Sequence, residues 1–414
     1  MRTSIEPILV YLRLVTMVIS PELNYIDIFA GCGGLSLGLY NAGWKGLFAI
    51  EKNPMAFATL KHNLIDKQQH FEWPEWLPEC SHDIDEVLTK YRTELIALDG
   101  KVDLVAGGPP CQGFSFAGRR REQDQRNQLV DSYIRFVELV KPRAIFFENV
   151  RGFTSKFVRR SSEGKIYSEE VVAKLGSLGY KVQPMIIDFS KYGIPQTRKR
   201  FILVGMQEGD PESFFEKLDN NKRSFLKEKK LPTTITTRDA ISDLERRHGD
   251  IKSPDSKNFM AGRYGRVESK YQKLMRKSYD KPLPDSHRFV NHNVTTIKKF
   301  KFYLETCPKN KNLTSQIKES LNLKKKCIIP LDPDQPSPTL TTLPDDYIHY
   351  CEPRVLTVRE FARLQSFNDW FEFRAKYTTG GNLRVSEVPR YTQAGNAIPP
   401  LFVEQSGDII RAMI

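Results

Sequence analysis

The feature that most constrains this chain is a series of short apolar runs, each ending at glycine or an acidic side chain. They are Tyr25–Ala30, Leu47–Ile50, Val102–Ala106 and Ala144–Phe147. A strand with one wet face alternates apolar and polar residues, whereas a run that is apolar nearly throughout predicts a parallel strand buried on both faces. Between the third and fourth runs, Arg126–Val140 sets Leu129, Val130, Tyr133, Val137 and Val140 at helical spacing, and Pro142 ends that helix. Lys181–Phe189 and Phe201–Gly205 predict two late strands folded back around the turn Tyr192–Arg200, and Thr357–Phe367 predicts a helix. Strands alternating with helices specify an open α/β sheet.

The chain has 414 residues, too many for one ordinary core, so a second domain is expected. Its 63 Lys and Arg outnumber 50 Asp and Glu, a net charge of +13. That excess is local. Residues 221–330 hold 27 basic and 11 acidic residues, a balance of +16, which leaves −3 for the rest. The same segment is rich in Asn, Ser, Thr and Lys with poor periodicity, so it predicts a smaller, loop-rich domain. A localised positive excess fits an anionic partner, most simply nucleic acid; the plainer alternative is a basic surface. No run of about 18 uncharged apolar residues exists, which excludes a transmembrane helix. The apolar stretch Ile8–Ile19 is broken by Arg13 and precedes no small-residue cleavage site, so it predicts an extension or an early helix, with Met17 an alternative start. Six scattered cysteines (Cys32, Cys80, Cys111, Cys307, Cys327, Cys351) contain no CxxC, which fits a reducing cytoplasm better than a disulfide framework. Cys80 and His82 have no companions at ligand spacing, so no metal site is expected.

Four motifs could carry chemistry. Asp27–Gly34 ends the first strand in a glycine turn that lets backbone amides approach a ligand. Ser36 stands where a dinucleotide GxGxxG needs its third glycine, and Glu51, ending the next strand, is placed to hold ribose hydroxyls. A nucleoside cofactor and a bare strand-to-helix turn are both open for this motif. Gly107–Ser115 (GGPPCQGFS) follows the third strand, where open α/β sheets bind ligands. Cys111 in such a loop points to an activated thiolate rather than to packing, whereas Cys32 between glycines has no activator and is a bystander. Glu148–Val150 puts a carboxylate at the end of a buried strand, which is unfavourable unless paired or used. In Gln196–Arg200 (QTRKR), Arg198 and Arg200 alternate, so both point to one side and could pair Glu148 or grip phosphate. A surface carboxylate and a basic turn remain open for these last two.

In this order, together with Arg354–Phe367 (RVLTVREFARLQSF) and Gln393–Pro400 (QAGNAIPP), the motifs resemble the DNA cytosine-5 methyltransferase family of the bacterial modification-enzyme type. The resemblance covers about residues 24–206 and 336–405. It implies a Rossmann-like S-adenosylmethionine-dependent methyltransferase sheet with a second, smaller, loop-rich target-recognition domain. The implied division is an N-terminal extension at 1–23, a catalytic and cofactor domain at 24–210, a DNA-reading domain at 211–350, and a C-terminal part at 351–414 that returns to the catalytic domain. It further implies Cys111 as the thiolate that adds to carbon 6 of a flipped cytosine. Glu148 binds ring nitrogen 3 and the amine, Arg200 orients both partners, and Arg198 stands nearby. Phe29, Gly31, Gly33, Gly34, Glu51, Asp83, Pro110, Leu129 and Asn396 are the implied S-adenosylmethionine residues. Gln112 and Ser115 are expected at the DNA, with Arg263, Arg266 and Asn291 as candidate base readers. The implied partner is double-stranded DNA, read by a monomeric cytoplasmic enzyme that could be encoded with a cognate restriction endonuclease or defence proteins.

Three other readings compete, of which an NAD enzyme fails at Ser36 and gives the PPCQ and ENV motifs no role. A tRNA-modifying branch shares these motifs but carries a Cys-Phe-Thr signature that this chain lacks. A non-catalytic DNA-binding homologue would have lost Cys111, Glu148 or the arginines, and all are present.

Overall fold

The computed structural model of the chain describes residues 22–110, 128–155, 167–381, 383 and 386–414. The apolar runs become a six-stranded sheet: β1 (Asn24–Ile28), β2 (Lys45–Ile50), β3 (Leu104–Gly107), β4 (Ala144–Val150), β5 (Lys181–Asp188) and β6 (Lys199–Met206). Their spatial order is β2-β1-β3-β4-β6-β5. β2, β1, β3 and β4 are mutually parallel, and β6 runs antiparallel between β4 and β5. The predicted late pair is therefore a true antiparallel pair. One boundary differs from the sequence reading: β4 continues through Glu148 to Val150, so Glu148 lies within the strand, opposite Ile202 of β6.

Both faces of the sheet are covered, which is why the runs are apolar throughout. Along β3 and β4, Leu104, Ala106, Ala144 and Phe146 point into one apolar cluster, and Val105, Ile145 and Phe147 into another. The first cluster holds α1 (Gly34–Asn41) and α12 (Pro400–Arg411); the second holds α3 (Ile84–Lys90), α4 (Gln128–Val140) and α5 (Tyr167–Ser177). Arg126, expected in α4, lies outside the described residues. α2 (Pro54–Leu60) is started by Asn53, whose side chain accepts from the backbone N–H groups of Met55 and Ala56, with Pro54 in the first turn.

The 211–350 span carries α6 (Glu212–Glu228), α7 (Thr237–Ile241), α8 (Lys270–Met275) and α9 (Val294–Thr306). Its apolar residues do not all form a separate core. Phe214, Leu218, Leu226, Ile241, Leu244 and Tyr271 join the first cluster, together with Phe361 and Leu364 of α10 (Val358–Leu364) and Tyr391 of α11 (Arg390–Asn396). The core thus runs across the expected boundary at 210/211. A separate small cluster, Tyr303, Cys307, Leu313, Ile328 and Ile348, gathers the later part. The predicted helix Thr357–Phe367 is shorter than expected: Thr357 caps it in a reciprocal pair with Glu360, and it ends at Leu364.

Arginines of this helix tie the two parts together. Arg363 is fully buried, with Nε 2.5 Å from Asp369 Oδ1 and both terminal nitrogens 3.2 Å from the Asp243 carboxylate. Arg359, also fully buried, donates to the Asp285 carbonyl and carboxylate. Such ions stay charged indoors only because every donor has an acceptor.

Candidate active site

The order of the sheet reverses at β1: the chain passes from β1 to β2 on one side, then returns to β3 on the other. Crevices outside the carboxyl ends of such strands are where open α/β sheets bind ligands. Both the Phe29–Gly34 turn and the Gly108–Pro110 loop leave the sheet there.

The turn is locally strained. Phe29, Gly31 and Gly33 all have left-handed backbone, at φ 63°, 58° and 93°. A phenylalanine held there is unfavourable by about 1–3 kcal/mol and persists only when its surroundings enforce it, a pattern concentrated at binding sites. Gly31 faces open space, with nothing within 4 Å of where a Cβ would stand, and its N–H donates to Glu51 Oε2 at 2.9 Å. Glu51 Oε1 accepts from Asn53 N at 2.7 Å. Burial pushes the Glu51 carboxyl above the usual range, against these two backbone donors. Gly34 is different: a Cβ there would stand 2.7 Å from the Ile398 carbonyl, so this glycine permits close packing of the C-terminal part. Asp83 caps α3 and pairs with Lys52 at 2.5 Å, and the His82 N–H donates to the Glu51 carbonyl, which brings Asp83 beside the end of β2. Phe29 and Leu129, both partly exposed, border the same apolar cluster. An open backbone cradle, a carboxylate that locks it and an aromatic ring at its rim fit a nucleoside ligand.

At the neighbouring strand ends, Arg200 Nε lies 3.0 Å from Glu148 Oε1, and both side chains are largely buried. Arg200 and Glu148 are diagonal neighbours on one face of the β4–β6 pair. Burial raises the Glu148 pKa, opposed by the charges of Arg200 and Arg198. Gly108 is pressed against this carboxylate, so that a Cβ would stand 2.9 Å from Glu148 Oε2 and 3.3 Å from its backbone carbonyl. The Asn149 side chain donates to the Pro109 carbonyl at 3.3 Å. The loop that leads to Cys111 is therefore packed against Glu148 at Gly108 and held by Asn149 at Pro109. Cys111, Gln112 and Ser115 themselves lie outside the described residues, and Pro110, exposed, is the last described residue before them.

Arg198 is placed differently from Arg200. It is buried, and its terminal nitrogens donate to Gln196 Oε1 and to the carbonyls of Leu340 and Gly395. Among the described residues it has no ion pair with Glu148, although its charge bears on that carboxylate. It positions the segment that carries Arg200. Sequence reasoning missed two partners in this work. Gln196 donates to Gln365 Oε1 at 3.0 Å, and Gln365 Nε2 donates to the carbonyls of Ala394, Gly395 and Ala397. This network holds Asn396, exposed at the end of α11, beside the strand ends. Gln365 among Phe361, Ala362, Leu364 and Phe367 was the available signal. Cys32 is buried, its thiol donates to the Gln393 carbonyl, and burial pushes its pKa up to about 12, so it is no thiolate at neutral pH.

The candidate base readers are not drawn into this site. Arg263, Arg266 and Asn291 are exposed on the basic segment, with Asn291 Nδ2 bonded to the Asn258 carbonyl. No helix among the described residues is long and apolar enough to cross a membrane.

Solved structures share this architecture. A protein assigned as a DNA modification methyltransferase encoded within an E. coli prophage aligns over 94% of this chain and 99% of its own, at TM-score 0.63 and 24% identity. The S. pombe Dnmt2 methyltransferase aligns over 94% of this chain and 98% of its own, at TM-score 0.50 and 16% identity. The fold is thus the Rossmann-like α/β sheet that these methyltransferases share. The sequence goes further. The C-5 cytosine-specific DNA methylase pattern matches residues 23–411. Type II methyltransferase M.XorII of Xanthomonas oryzae pv. oryzae is 31% identical over 94% of this chain and 84% of its own length. Type II methyltransferase M.DdeI of Desulfomicrobium norvegicum is 29% identical over 92% and 87%. The chain belongs to the C-5 cytosine-specific DNA methylase family and is a DNA (cytosine-5-)-methyltransferase.

Proposed function

We propose that the protein methylates carbon 5 of a flipped cytosine within a specific duplex DNA sequence, through a covalent bond between Cys111 and carbon 6. The observation that carries this reading is the buried Glu148–Arg200 pair with Gly108 packed against it and Pro109 held by Asn149, three and two residues before Cys111. Carbon 5 of cytosine is a poor nucleophile. Addition of the Cys111 thiolate to carbon 6 makes it enamine-like, while Glu148 shares a proton with ring nitrogen 3 and draws electrons from the ring. The raised pKa of Glu148 favours its holding the shared proton. Arg200 orients Glu148, and Arg198 braces the strand behind it. Loss of the carbon 5 proton then expels the thiolate and restores the ring.

S-adenosylmethionine, when bound, supplies the electrophilic methyl group. Gly31 would receive it with open backbone, Glu51 would take the ribose hydroxyls, Phe29 would stack on the adenine, and Asp83, Pro110, Leu129 and Asn396 would line the remainder. A base in a duplex is out of reach of Cys111, so the cytosine is extruded, which costs a few kcal/mol of stacking and pairing. The basic segment holds the duplex meanwhile, with Arg263, Arg266 and Asn291 toward base edges and Gln112 and Ser115 at the flipped nucleotide. The protein works as a monomer in the bacterial cytoplasm, in DNA modification beside a cognate endonuclease or in phage defence.

The test is methyl transfer from labelled S-adenosylmethionine to duplex DNA and to tRNA, followed by bisulfite sequencing of DNA from cells that express the chain. Methylation of one cytosine in one sequence is expected, and Cys111→Ala abolishes it while duplex binding persists. Transfer to tRNA alone overturns the reading.

A further inference from the structure

The positive excess of residues 221–330 is presented unevenly. Arg238, Arg246, Arg247 and Arg276 each have a carboxylate oxygen within 3.5 Å, from Asp334, Asp250, Glu245 and Asp243. Arg288 is sandwiched between Phe259 and Tyr377, 4.1 and 3.8 Å from the ring centroids. These charges serve the fold. Beyond Arg288 the composition changes: no arginine occurs before Arg354, and residues 294–326 hold nine lysines against two glutamates. Lys325 is paired with Asp345 and Asp346. Lys298, Lys299, Lys301, Lys311, Lys324 and Lys326 have no ion pair among the described residues, and all but Lys299 are exposed. They stand on a built lobe, because α9 and the chain after it close over their own small core of Tyr303, Cys307, Leu313 and Ile328.

An ammonium is a compact charge that meets phosphate oxygens without a fixed donor geometry, whereas a guanidinium fork can take either a phosphate or a base edge bidentately. Unpaired forks occur elsewhere in the segment, at Arg263 and Arg266. We propose that the 294–326 lobe is a sequence-independent clamp on the sugar–phosphate backbone of the duplex, distinct from Arg263, Arg266 and Asn291, which would choose the sequence. This rests on the reading that duplex DNA is the substrate, and it narrows the electrostatic footprint from 110 residues to one lobe.

The experiment compares the full chain with a variant in which the six unpaired lysines are glutamine. Duplex affinity is measured between about 50 and 200 mM salt. Each phosphate contact contributes roughly 0.9 to the slope of log affinity against log salt, so a fall of about 3 or more is expected. The methylated sequence and the single-turnover rate at saturating DNA stay unchanged. A second variant with arginine at all six positions retains the slope, which separates lost charge from lost folding. An unchanged slope in the glutamine variant, an altered methylated sequence, or a lobe-dependent affinity for RNA but not for duplex DNA overturns the proposal. A wild-type chain that binds duplex without methylating it removes the function proposed above, yet leaves this slope measurable.

Discussion

Gly108→Ala tests the coupling between the Cys111 loop and Glu148 with the smallest possible change. The new methyl group would stand 2.9 Å from Glu148 Oε2 and 3.3 Å from the Glu148 carbonyl oxygen. Ordinary carbon–oxygen contact begins near 3.4 Å, so one partner must move by about half an ångström. The carboxylate is tied to Arg200 at 3.0 Å, the carbonyl belongs to a strand paired on both sides, and the loop is held by Asn149. The weakest restraint is the loop, which shifts and carries Cys111 with it. A misplacement of up to about 1 Å at a reacting centre lowers rates by up to about 100-fold, so the single-turnover rate of methyl transfer should fall by about 10- to 100-fold. The clash lies just past the carboxyl end of β3, outside the two apolar clusters, so thermal unfolding moves by only a few degrees, and S-adenosylmethionine affinity changes less than the rate. Labelled-methyl transfer under single-turnover conditions reads the effect. A wild-type rate in Gly108→Ala would refute the claim that packing of the loop against Glu148 sets the position of Cys111.

Other perturbations follow from the same geometry. Because burial raises the folded pKa of Glu148 above its unfolded value near 4.3, the folded chain keeps a proton the unfolded chain has lost, and stability falls as pH rises through that window. In Glu148→Gln that decline disappears, so urea midpoints of the two proteins measured against pH converge or cross as pH rises; a gap that widens in favour of wild type would mean Arg200 holds the carboxylate depressed instead. Arg363→Met strips Asp243 and Asp369 of their common partner and should cost about 3–5 kcal/mol in denaturant unfolding. Glu51→Gln keeps one acceptor but loses the charge shared by the Gly31 and Asn53 amides, so S-adenosylmethionine affinity measured by calorimetry falls about 10- to 100-fold while the salt dependence of DNA binding is unaltered.

Much of the sheet was legible because burial on both faces writes itself as continuous apolar runs, and β1, β3 and β4 start at Asn24, Leu104 and Ala144, within two residues of where those runs begin. The glycine turn was legible because left-handed backbone favours glycine; Phe29 in the same conformation was not, since nothing in its type announces it. The two arginines of QTRKR show where alternation stops being informative. It places both on one side of the chain, but their partners are tertiary: Arg198 donates to carbonyls 142 and 197 residues away, while Arg200 meets Glu148. Net charge was equally blind to pairing, because a count cannot tell Arg276 beside Asp243 from Lys298 in solvent. The domain reading of 211–350 met the same limit, since Phe214 and Tyr271 look like the core of a separate domain yet pack into the first cluster.

The most direct test uses duplex DNA carrying 5-fluorocytosine at the target position. Fluorine cannot leave as the carbon 5 proton does, so the bond between enzyme and carbon 6 persists after methyl transfer. The account predicts a covalent complex that forms only with S-adenosylmethionine, maps by peptide mass spectrometry to Cys111, and is missing in Cys111→Ala. A stable adduct at another residue, or methyl transfer with no adduct at all, would contradict it.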